Sequence, residues 1–354
     1  MSAASGEPLP STLSQRAQSR LLHELAPARY DIPGKRYDRE LHPEGVINMA
    51  TAENSLMTTE LLQYMHNHVK FLTPDHLKCR VAITNGVVNS TANMLPVYIN
   101  EYAHPIIPVT EEHCVPGPGI SALFAQVVWA LCDDGDGVLI ATPYYADYVR
   151  DIVYPARAKL VAAPIPQEID PLAPECITYL EDAIERSSAA GTPIRVLVLC
   201  NPHNPLARAY PLDTVKAYAK IYNLHLLVDE VYANQVFSSS LVPDPTPFVS
   251  ALSLDMRTEC GCDPSRIHVL AGPTKDFGAS GFKIGAFVSQ HNPKLVKIVQ
   301  GALGGIPISS AADALLTPVL RDDAFRVWFL QENRKRLGQA FENVAAWCLF
   351  HDIP

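Results

Sequence analysis

Arg195-Val-Leu-Val-Leu-Cys200 runs directly into Asn201-Pro-His-Asn-Pro205, and this union of a short apolar stretch with a polar cluster decides the fold. The pattern recurs in Leu224-His-Leu-Leu-Val228 before Asp229-Glu-Val-Tyr232, and in Ile267-His-Val-Leu-Ala271 before Gly272-Pro-Thr-Lys275. Strands that are apolar along nearly their whole length are covered on both faces, as in a parallel sheet flanked by helices. Gly137–Ala141 reads as a further short strand, while Ile120–Leu131 and Thr178–Ser187 carry apolar residues at helical spacing. The alternation predicts an α/β protein with a mainly parallel central sheet and helices on both faces. Ligands in such sheets sit beyond the carboxyl ends of the strands, so the three polar clusters are expected to meet in one crevice.

With 354 residues, 48% hydrophobic and 18% charged, the chain has ample material for a core. Its formal net charge of -9 lacks the basic excess that a nucleic-acid partner demands, which points to a small-molecule substrate. The eight cysteines are scattered, and Cys260 and Cys262 are too close in sequence for a zinc knuckle, so no metal site is expected. The N-terminal stretch has neither a signal-peptide core nor a run long enough to span a membrane, and a reducing cytoplasm is the expected location. Residues 1–45 read as a mobile arm with a short helix at Ser14–Leu25. Val242-Pro-Asp-Pro-Thr-Pro247 reads as a surface loop.

Taken singly, a Lys after a strand is usually solvated, an Asp-Glu pair caps a helix and Asn-Pro makes a turn. Their order and spacing carry more. Ile47-Asn-Met-Ala-Thr-Ala-Glu53-Asn54, Gly135-Asp-Gly-Val-Leu-Ile-Ala-Thr-Pro-Tyr144-Tyr145, Asn201-Pro-His-Asn204-Pro-Leu, Asp229-Glu-Val-Tyr232 and Thr274-Lys275-Asp-Phe-Gly278 together resemble the class I/II aminotransferases. Within that family they resemble the subgroup of 1-aminocyclopropane-1-carboxylate synthase and its fungal relatives, over roughly residues 47–354.

The resemblance implies fold type I, pyridoxal 5'-phosphate (PLP) as cofactor and a homodimer. It further implies that Lys275 forms a Schiff base with PLP and moves the substrate's α-proton. Asp229 would pair with the pyridine nitrogen and deepen the electron sink. Asn204 and Tyr232 would hydrogen-bond the phenolic oxygen, and Tyr145 would stack on the ring. Backbone amides at Gly117-Pro-Gly119-Ile120-Ser121, the Ser121 hydroxyl, Thr274 and Lys283 would bind the phosphate. Glu53 would lie at the substrate's edge of the site. Residues 46–105 would contribute to a small domain and the dimer interface, 106–320 would form the PLP-binding domain, and 321–354 would begin a truncated small domain. The family reaction is transamination. An elimination at a carbon–sulfur bond, or cofactor binding without turnover, are the alternatives.

Three departures weaken the phosphate site. Lys283 stands where the family has Arg, Gly272 replaces a Ser, and Asn85 occupies the place of a Tyr that reaches the neighbouring subunit's phosphate. By the resemblance, the family's carboxylate-clamping Arg is expected well beyond Pro354, and Arg334 and Arg336 read as solvated helix residues rather than replacements.

Overall fold

Asp229 marks the centre of a seven-stranded sheet in a computed structural model that describes residues 34–47, 52–69, 91–221 and 224–353. The chain divides into two compact units, Met1–Glu53 and Asn54–Pro354. In the first, residues 34–47 double back. The backbones of Asp38 and His42 exchange hydrogen bonds of 3.0 and 2.9 Å, and the Asp38 carboxylate accepts from the amides of Glu40 and Leu41. The expected Ser14–Leu25 helix and Asn85 lie outside the described residues.

The second unit opens with α1 (Thr58–His68), α2 (Thr91–Ala103), β1 (Cys114–Gly117) and α3 (Ile120–Leu131). It continues through β2 (Gly137–Ala141), α4 (Tyr148–Ala156), β3 (Lys159–Ala163), α5 (Ile177–Ala189) and β4 (Ile194–Cys200). Then come α6 (Leu212–Lys220), β5 (His225–Asp229), α7 (Met256–Cys260), β6 (Ile267–Ala271) and β7 (Gly285–Val288). Three helices close it: α8 (Pro293–Ala302), α9 (Ser310–Arg321) and α10 (Asp323–Phe350). The strand order is β1-β7-β6-β5-β4-β2-β3. β6, β5, β4, β2 and β3 run parallel, and β7 is antiparallel to both β6 and β1.

Strand side chains alternate between faces, and two cores follow from that alternation. Val138, Ile140, Val196, Val198, Leu227 and Leu270 join Phe124, Val127, Ile152 and Val299 from α3, α4 and α8. Leu139, Leu197, Leu199, Leu226, Val228 and Val269 join Leu180, Val215, Leu316 and Phe329 from α5, α6, α9 and α10 on the other side. Each such aliphatic side chain contributes about 1.5–3 kcal/mol when fully buried. Arg326 on α10 is also buried and ties that helix to α2, with Nε donating to Glu101 at 2.9 Å.

The sequence expectation of a mainly parallel sheet covered on both faces holds. The register aligns the strand ends: Cys200 pairs with Asp229, and Asp229 with Leu270. The three polar clusters therefore begin side by side.

Candidate active site

Asp229 ends β5 with its side chain on the α3–α4 side, and it is 5% exposed. The Tyr148 hydroxyl donates to its Oδ2 at 2.7 Å, and the Val231 amide donates to Oδ1 at 3.1 Å. Burial pushes the Asp229 carboxyl up, while these two donors and the charge of Lys275 pull it back down. A buried carboxylate is thus held within electrostatic reach of a lysine ammonium.

Lys275 follows β6 and is half-buried, with Nζ 5.7 Å from the centroid of the Tyr232 ring. Its backbone is fixed through its neighbours. Gln235 Nε2 donates to the Lys275 carbonyl at 3.4 Å and to Asp276 Oδ1 at 3.0 Å. Asn234 Nδ2 donates to Asp276 Oδ2 at 3.0 Å, and the Tyr98 hydroxyl donates to the same oxygen from α2. Burial nevertheless pushes the Asp276 carboxyl up to about 6. Asn204 meets the Tyr232 hydroxyl, and this hydrogen bond opposes the upward push that burial exerts on the phenol. Tyr145 stands edge-on to Tyr148 with ring centroids 5.3 Å apart, and its hydroxyl donates to Asp147 at 2.8 Å.

Of the residues expected to bind phosphate, Ile120, Ser121 and Lys283 meet at the start of α3. Gly119 has a φ of +90°, and no described side chain caps the first turn, so the amides at Ile120 and Ser121 belong to an open helix N-terminus. Lys283 is exposed, and its Cα would lie 3.5 Å from a Cβ placed on Gly119. That is ordinary van der Waals contact, and it is the positive φ that favours glycine at this turn. Gly272 is more closely confined: a Cβ there would lie 3.0 Å from the Ile284 carbonyl oxygen and 3.1 Å from Gly285 Cα. A side chain at this position would need β7 and the residue before it to give by a few tenths of an ångström. Thr274 is buried.

Two further residues of α4 enter the site without having been singled out from the sequence. Tyr148 and Asp151 follow Tyr145 at steps of three, which places them in line along one side of a helix. Asp151 meets Ser121 at the start of α3. Burial pushes its carboxyl up to about 7; the Ser121 hydroxyl and Arg150 oppose that push, and the charges of Asp147 and Asp229 add to it. The three-residue spacing after Tyr145 was the available signal, but it does not distinguish a site residue from core packing.

Glu53 is exposed and belongs to the first unit. Arg336 is engaged rather than solvated, pairing with Glu60 at 2.7 Å and Glu332 at 2.9 Å and donating to the Leu56 carbonyl at 2.6 Å. Arg334 is half-buried and its charge reaches Asp276. Among the described residues there is no group of three or more His, Cys, Asp or Glu able to hold a metal ion, and no helix is long and apolar enough to cross a membrane.

Residues 83–348 match the family described as aminotransferase class I and II. The probable aminotransferase aclI of Aspergillus oryzae is 33% identical over 301 residues, covering 83% of this chain and 69% of its own length. The probable aminotransferase tcpI of Claviceps purpurea is 33% identical over 262 residues, covering 73% of this chain and 59% of its own. At 29% identity, 1-aminocyclopropane-1-carboxylate synthase 2 of Cucurbita pepo is covered over 63% of its length by 86% of this chain. Among solved structures, an archaeal alanine:glyoxylate aminotransferase superposes with a TM-score of 0.65 at 18% identity, over 90% of this chain and 73% of that one. That last likeness is one of fold.

Proposed function

Because the chain belongs to the aminotransferase class I and II family, whose members depend on PLP, we propose that it transfers the amino group of an amino acid or amino-acid-derived metabolite with PLP held at Lys275. The observation that supports this most is the buried Asp229 carboxylate opposed by the charge of Lys275 at adjacent strand ends. The donor set fits the cofactor: a carboxylate for a protonated ring nitrogen, two hydrogen-bonding side chains for a phenolic oxygen, and an open helix N-terminus with a cation for a phosphate.

Bound PLP supplies a sink for the electron pair left when a bond to the substrate's α-carbon breaks. The remaining work falls to the protein. Asp229 holds a proton on the ring nitrogen, and Asn204 with Tyr232 binds the phenolic oxygen. Tyr145 covers the ring face. The amides of Ile120 and Ser121, the Ser121 hydroxyl, Thr274 and Lys283 retain the phosphate. Lys275 Nζ would hold the cofactor and would serve as the base that moves the substrate's α-proton. A homodimer in the cytoplasm, with residues 46–105 and 321–354 as small-domain segments around a 106–320 core, completes this reading. Light scattering tests the dimer, which requires a mass near twice 38.8 kDa.

The similarity to 1-aminocyclopropane-1-carboxylate synthases favours one second reading, elimination at a carbon–heteroatom bond. Adding PLP to the purified chain should produce a new visible absorbance band that amino acids then shift, and Lys275→Ala should abolish the band. Transamination yields a keto acid, whereas elimination releases the heteroatom fragment. No band with excess PLP would refute the proposal, and a band that no amino acid shifts would mark a binding protein without turnover.

A further inference from the structure

Tyr148 contributes an aromatic ring to a packed core and a hydroxyl to a carboxylate, and only the ring is needed for packing. It is 2% exposed, stacked on Phe124 at 5.0 Å and 22°, and edge-on to Tyr145 at 5.3 Å and 89°. A phenylalanine would satisfy those contacts. The hydroxyl costs free energy to bury unless it is bonded, and its partner is Asp229 Oδ2 at 2.7 Å.

We propose that Tyr148 is a positioning residue that keeps Asp229 a carboxylate opposite the cofactor's ring nitrogen, acting through that carboxylate without touching the cofactor. This rests on the PLP reading above. The Val231 amide satisfies Oδ1 and the Tyr148 phenol satisfies Oδ2 from the α4 side. The charge of Lys275 acts on the carboxylate from the segment after β6, and Asp151, Tyr232, Tyr102, Cys200 and Glu230 feel it from α4, the loop after β5, α2, the end of β4 and the next residue in the chain. Asp151, when ionised, repels it. Without the phenol, burial favours the neutral acid, which has no charge to stabilise a protonated ring nitrogen.

The phenol itself is held against titration by burial and by the Asp229 charge, so it remains a donor, and the Cys200 thiol meets the same hydroxyl while also reaching the Pro202 carbonyl at 3.4 Å. Charge-assisted hydrogen bonds are among the stronger ones in proteins, which sets the size of the expected effect.

The test compares PLP with its 1-deaza analogue, in which C–H replaces the ring nitrogen. Each is titrated into wild-type protein and Tyr148→Phe at pH 7 with protein fluorescence as the readout. Thermal melting checks that the variant is folded. Loss of the phenol should weaken PLP about tenfold and leave the analogue unchanged or slightly tighter. In an Asp229→Ala background the Tyr148→Phe effect should vanish. Equal weakening of both ligands, or weakening that persists without Asp229, would assign Tyr148 to packing alone and overturn the proposal, as would an unchanged affinity for PLP. A wild-type protein that binds neither ligand would instead overturn the cofactor reading on which it rests.

Discussion

Asp151 places a carboxyl group at the start of α3, where open backbone amides and the helix dipole favour an anion. Pushed up to about 7 by burial, it is protonated and neutral at pH 6 and charged at pH 8. As a neutral group it can share the Ser121 hydroxyl with a phosphate, whereas as a carboxylate it repels one. Ionisation of Asp151 should therefore oppose the gain in PLP affinity that the phosphate's own ionisation brings between pH 6 and pH 8. Asp151→Asn should leave affinity unchanged at pH 6 and tighten it several-fold at pH 8, the order expected for one partly screened like-charge pair of about 1 kcal/mol. A benefit that is the same at both pH values would refute the idea. Lys283 offers a second test in the same cup. Its ammonium is a point charge where a guanidinium could make two parallel bonds, so Lys283→Arg should lower the dissociation constant for PLP several-fold, measured by equilibrium dialysis.

The segment joining β6 to β7 is the element that sets Lys275 in place. Three side chains fix Asp276 just after the lysine, and Gly278 completes the turn with a φ of +62°. A Cβ at Gly278 would run into the Asn54 carbonyl oxygen, a backbone atom with little freedom to move. Gly278→Ala should cost about 2 kcal/mol or more, from strain at positive φ and from overpacking together. A urea midpoint within error of wild type would show that Asn54 yields.

This segment also shows what the sequence makes legible. Ile267–Ala271 and Ile120–Leu131 have the bounds their patterning predicts, because a run of apolar residues between polar clusters has one arrangement beneath covering helices. β7, β1 and β3 were not singled out. Gly285-Ala-Phe-Val and Cys114-Val-Pro-Gly are four residues each, too short for a period, and Lys159–Ala163 is an edge strand that leaves part of its length exposed. The order of motifs singles out Lys275, Asp229, Asn204 and Tyr232 as candidates. It does not single out Tyr148 or Asp151, whose placement depends on which face of α4 meets β5 and α3.

Across the whole molecule, several buried titratable groups set how stability follows pH. Burial pushes Glu230 up from 4.5 to about 8 and Asp151 up to about 7, so the folded chain keeps protons that the unfolded chain has already released. Stability contributed this way is complete below the unfolded values and is lost as pH rises through the folded ones. His203 and His268 act in the opposite sense. Burial lowers them to about 4 and about 3, so acid favours the unfolded chain, but this contribution is nearly exhausted by pH 7. Above pH 8 the buried thiols Cys114, Cys132 and Cys200, each pushed up to about 12, add a further alkaline loss. Between pH 6.5 and 7.5 the largest change therefore comes from Glu230, and wild type should lose roughly 1 kcal/mol.

Burial outweighs the donors around Glu230. The Ala251 amide donates to Oε1 at 2.8 Å, and the Ser250 hydroxyl donates to Oε1 at 3.0 Å and to Oε2 at 2.8 Å, and both oppose the upward push. Glu230→Gln removes the titrating group and keeps a carbonyl oxygen that can accept from these donors. The variant should fold, and its urea midpoint should decline clearly less than that of wild type from pH 6.5 to 7.5, with Asp151 supplying the remaining decline. If both proteins decline in parallel, Glu230 is ionised in the folded state and the pH dependence has another source.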